Sequence, residues 1–168
     1  MTVCADFEPD DWVRVIEGPA IASLHVLAAL SAPGVRERLS IGAAYAAARD
    51  HQWALEGQRW SELLAQILAE PARVVLSRLG AVEATGFPEV TDPTLARLRE
   101  AVALVDGKAT HEEALQYRRL VLGLAQRVAD ARARRGFLGI GRRTATEAEL
   151  GAVDEVAAAL GVRPSEDE

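Results

Sequence analysis

The chain has 168 residues, a single cysteine and a formal net charge of -6, with 49% hydrophobic but only 5% aromatic residues. That length suits one domain whose core needs no disulfide or metal staple, and the net acidity argues against a general nucleic-acid coat. The alanine-rich, aromatic-poor composition disfavours a β-sandwich and predicts an all-α fold, a single bundle of six or seven helices with Ala-rich packing faces spanning residues 1–168.

Residues 1–8 read as a short N-terminal arm that carries Cys4. A lone cysteine excludes an intrachain disulfide, and this end lacks the basic-then-apolar order of a secretory leader, so the expected location is the cytoplasm. Pro9-Asp10-Asp11 opens a helix with acidic residues at the positive end of its dipole, and Trp12, Val15 and Ile16 form its apolar side. Gly18-Pro19 is expected to break or bend the chain, with Pro19 starting a second helix. That helix, with Ile21, Leu24, Val26, Leu27 and Leu30, is apolar nearly all round and therefore central. The run from Pro19 to Leu30 is too short to span a bilayer.

Ser31-Ala32-Pro33-Gly34 is a turn, after which Ile41, Ala44, Tyr45 and Ala48 mark a third helix. Trp60, Leu63, Leu64, Ile67 and Leu68 give the cleanest helical spacing in the chain, interrupted at Pro71. Gly80 to Asp92 is the longest irregular connection. Asp92-Pro93 then starts a helix whose Leu95, Leu98, Val102 and Val105 face inward as far as Asp106-Gly107. Thr110-His111-Glu112-Glu113 is a capping box that opens a long helix to about Arg135, with Tyr117, Leu120, Val121, Leu124 and Val128 as its stripe. A final helix, capped from Thr144 or Thr146, carries Leu150, Val153, Ala157 and Leu160 and closes at Gly161, leaving residues 162–168 as an acidic tail.

Between the last two helices lies the segment with chemistry of its own, Arg134-Arg135-Gly136-Phe137-Leu138-Gly139-Ile140-Gly141-Arg142-Arg143. From Ala131 to Thr146 there are five arginines and no acidic residue. Glycines before a helix N-terminus, flanked by arginines, invite a phosphate-loop reading. The spacing matches neither a Walker loop nor a dinucleotide fingerprint, however, and a helix precedes it instead of a strand. The favoured reading is an apolar plug of Phe137, Leu138 and Ile140 in the bundle. Arg134, Arg135, Arg142 and Arg143 around it are either paired and solvated or bind an acidic partner, a lipid headgroup or a phosphate.

Elsewhere, candidate chemistry is sparse. Three histidines are scattered; His111, Glu112 and Glu113 fan around their helix and cannot share an ion, and no spacing for a zinc or di-iron site occurs. His25 on the apolar second helix reads as a core histidine with its nitrogens satisfied. Nucleophilic catalysis finds no Gly-x-Ser-x-Gly elbow, and Trp53, Arg59 and Trp60 read as packing before a cation-π pocket. No catalytic residue, metal ligand or cofactor is implied.

Two resemblances add to this. Val105-Asp106-Gly107-Lys108-Ala109-Thr110, the Gly136–Gly141 loop, Ala157-Ala158-Ala159-Leu160-Gly161 and the opening Glu8-Pro9-Asp10-Asp11-Trp12 resemble a group of small uncharacterised bacterial all-helical proteins, in which a Gly-Phe-Leu-Gly-apolar-Gly loop precedes an Ala-rich last helix. That resemblance implies a one-domain helical architecture and no activity. More remotely, the chain is similar to the TerB-like helical domains of tellurite resistance, which implies response to a divalent metal. The expected function is a non-enzymatic module acting through a protein partner or its own copies. The alternatives are a bundle binding a small anionic ligand or phosphate, with room for an enzyme, and the TerB-like domain.

Overall fold

A computed structural model describes residues 2–28, 60–70, 91–133 and 147–162. These residues form five helices and, among themselves, no strand: α1 (Pro9–Ala28), α2 (Glu62–Ala69), α3 (Thr91–Lys108), α4 (His111–Ala133) and α5 (Glu147–Ala159). A 3-10 turn at Cys4–Asp6 precedes them. The all-α class therefore holds. The expected third helix and the segment after Pro71 lie outside the described residues.

α1 is the hub. Every residue from Val15 to Val26 is buried, so this helix has no solvent side along that stretch. α3 and α4 pack along it most extensively, while α5 contacts all three and α2 meets α1 and α4. The inward stripes follow the sequence pattern closely. Leu95, Leu98, Val102 and Val105 of α3 are buried, as are Tyr117, Leu120, Val121, Leu124 and Val128 of α4. Leu63, Leu64 and Ile67 of α2 are fully enclosed, beneath an N-cap in which Ser61 Oγ accepts the Leu64 amide hydrogen at 3.4 Å.

Three features depart from the sequence reading. First, Gly18-Pro19 does not end a helix, since α1 continues through it as one 20-residue helix. Proline removes the amide that would bond the carbonyl four residues back, which here is Val15. Tyr117 of α4 replaces that donor, its hydroxyl reaching the Val15 carbonyl at 2.8 Å. Gly18 makes the approach possible, because a Cβ there would overlap the Tyr117 hydroxyl. Further along the helix, Ser23 Oγ donates to the Pro19 carbonyl at 3.0 Å.

Second, the segment expected to be an arm is docked. Thr2 and Phe7 are only 4% and 7% exposed, and Cys4 is half-buried. Pro9 opens α1, and the ring of Phe7 packs on Trp12 with centroids 5.7 Å apart, the hydrophobic staple of a helix entry. Lys108 Nζ sits 5.3 Å above the Phe7 ring and donates to the Asp6 carbonyl at 2.9 Å. The Cys4 amide donates to Gln66 Oε1 of α2 at 2.6 Å.

Third, the buried face of α5 is Ala152, Val156, Ala157, Ala159 and Leu160, with Val153 half-buried, while Leu150 is 54% exposed. Its end is closed as the sequence indicates. Gly161 has φ +67°, and the Val162 amide bonds the Ala157 carbonyl at 2.9 Å while the Gly161 amide bonds that of Ala158 at 3.1 Å, a Schellman ending.

Candidate functional site

The binding residues singled out from sequence, Arg134, Arg135, Phe137, Leu138, Ile140, Arg142 and Arg143, lie outside the described residues, as do Trp53 and Arg59. Within the described residues the polar side chains that the fold encloses are Thr2, Glu17, Ser23, His25, Thr94 and Glu113. An enclosed polar group is costly unless bonded, so its partner reveals its job.

Glu113 forms the densest cluster. The capping box brings it to the start of α4, where the Thr110 amide donates to Oε2 at 3.0 Å and the Thr110 hydroxyl accepts the Glu113 amide hydrogen at 3.3 Å. The Thr110 hydroxyl also bonds Oε2, at 2.8 Å. Thr2 completes the set from the other end of the chain, its amide donating to Oε1 at 2.9 Å and its hydroxyl to Oε2 at 2.8 Å. Burial pushes this carboxyl's pKa up, but the amide and hydroxyl bonds from Thr2 and Thr110 outweigh it and hold the pKa at about 2, below the ordinary 4.5. Such a carboxylate is locked as an anion with its lone pairs engaged, suited to fastening two segments and not to moving a proton. His111 and Glu112 beside it point outward, so the three do not converge.

Glu17, on the fully enclosed stretch of α1, reaches Arg97 of α3 at 2.7 Å, the guanidinium lying nearer the surface than the carboxylate. Arg118 ties three helices at once. Its Nη2 alone faces both oxygens of Asp106 at the end of α3, at 2.7 and 2.6 Å, and its Nε donates to the Leu160 carbonyl at the end of α5 at 2.8 Å. That carbonyl is one of the acceptors a helix terminus leaves open.

His25 is the exception to full pairing. Its ring is 1% exposed, and Nε2 lies 2.7 Å from Oε2 of Glu155, whose side chain is 60% exposed. Nδ1 is enclosed without a hydrogen-bond partner. The core position expected for this histidine is therefore correct, but only one of its two nitrogens is satisfied. A single carboxylate beside one ring nitrogen is not a metal centre. Among the described residues, no group of three or more His, Cys, Asp or Glu side chains is placed to hold an ion. Likewise among the described residues, no helix is long and apolar enough to cross a membrane.

Sequence reasoning did not find the Glu17–Arg97 pair, the Tyr117–Val15 bond or the His25–Glu155 contact. A signal for the first two was present. A carboxylate on an otherwise apolar helix requires a cation, and a proline inside that helix requires a replacement donor for the carbonyl four residues earlier. Nothing in the spacing of His25 and Glu155 joins two positions 130 residues apart.

Comparison of the chain with protein-family models, curated proteins and solved structures finds no significant match to any of them.

Proposed function

We propose that this chain is a non-enzymatic helical module that works through its surface, by contact with a protein partner or with further copies of itself. The observation that supports this reading is the use made of the enclosed polar groups. Glu113 fastens the N-terminal segment to α4, Glu17 joins α1 to α3, and His25 joins α1 to α5. Their partners are all parts of the same fold, so their chemistry goes into holding helices in place and leaves recognition to the exterior. The sequence feature with the strongest specific character is the segment Arg134–Arg143, whose apolar residues flanked by arginines have a composition that suits contact with an acidic protein.

The test is an Arg142→Glu/Arg143→Glu double variant, checked for native helix content by circular dichroism. Self-association by light scattering and capture of a defined partner should both be measured against salt. The reading expects association that the variant weakens, with a larger difference at low ionic strength, where the Debye length is longer. A folded variant that associates as the parent does removes the arginine segment from the proposal. A rise in melting temperature with inorganic phosphate, lost in the variant, would favour the anionic-ligand reading instead.

A further inference from the structure

We draw no further inference here: the strongest candidate, the buried His25 ring between α1 and α5 with its unpartnered Nδ1, carries nothing because nothing in the structure shows what that nitrogen faces.

Discussion

Replacing glycine by alanine inside a helix ordinarily stabilises it by about 0.5–1 kcal/mol, because alanine has less backbone freedom to lose. Gly18→Ala should do the opposite. The new methyl would overlap the Tyr117 hydroxyl, and it would also lie 3.3 Å from the ring carbon bearing that hydroxyl and 3.6 Å from the Ala101 methyl. The ring must retreat, and the Val15 carbonyl then loses its donor. Overpacking costs about 1–3 kcal/mol and a stranded buried acceptor a similar amount, so after the gain in helix propensity the net destabilisation is about 1–5 kcal/mol.

Tyr117→Phe alone strands the same carbonyl without a clash and should cost about 1–3 kcal/mol. Combining the two changes removes the overlapping oxygen, so Gly18→Ala should cost little more in the Phe background, and the two effects should fall well short of adding. Pro19→Ala in that same background returns an amide that can bond Val15 and should recover part of the loss. Urea unfolding followed by circular dichroism measures all four variants. Stabilisation by Gly18→Ala, or strict additivity in the double variant, would refute the account of Gly18, Pro19 and Tyr117 as one unit.

Glu113 makes stability depend on acid. Its folded pKa of about 2 lies below the ordinary 4.5, so the unfolded chain binds the proton more readily. The stabilisation, on the order of 3 kcal/mol, is fully present above the unfolded value and is lost as pH falls from about 4.5 towards 2. Unfolding midpoints of the parent and Glu113→Gln should converge over that window; parallel curves from pH 7 to pH 2 would contradict the assignment. At the end of α5, Gly161→Ala places a side chain in the left-handed region and should cost about 1 kcal/mol, with Gly161→Asn costing less, both read from thermal unfolding. A neutral alanine there would mean that the turn does not need its positive φ. Arg118→Met keeps the apolar stem but drops the bonds to Asp106 and Leu160, and about 1–2 kcal/mol should go with them. Amide exchange in the last turn of α5 should accelerate more than in the middle of α4, and uniform acceleration would argue against a local tie.

Much of the fold is legible in the sequence because apolar spacing reports burial directly. The stripes of α3 and α4 needed no correction, and the Thr110–Glu113 capping box and the Gly161 ending stand where their local signals place them. What misleads is local grammar overruled from a distance. Gly18-Pro19 is a break in any isolated peptide, and it stays helical here because a hydroxyl 102 residues away supplies the missing donor. Thr2 and Phe7 resemble an arm because two polar bonds and a ring contact far along the chain are invisible in a short window. Leu150 is misjudged because the buried face of α5 runs through Ala152, Val156, Ala159 and Leu160, and Leu150 lies off it. For the site, sequence composition alone directs attention to Arg134–Arg143.

A helix enclosed on every side from Val15 to Val26, and preceding in sequence the helices that pack on it, imposes an order on folding. α1 is synthesised first, yet the helices that cover it lie far downstream, and Tyr117, which repairs its backbone, follows about a hundred residues later. Until α3, α4 and α5 have emerged, α1 lacks the helices that, among the described residues, pack along it most extensively, and such non-local closure slows folding and exposes nascent chains to aggregation. A chain halted before α4 should therefore be a client for chaperones, and completion of the last two helices should be the event that releases it.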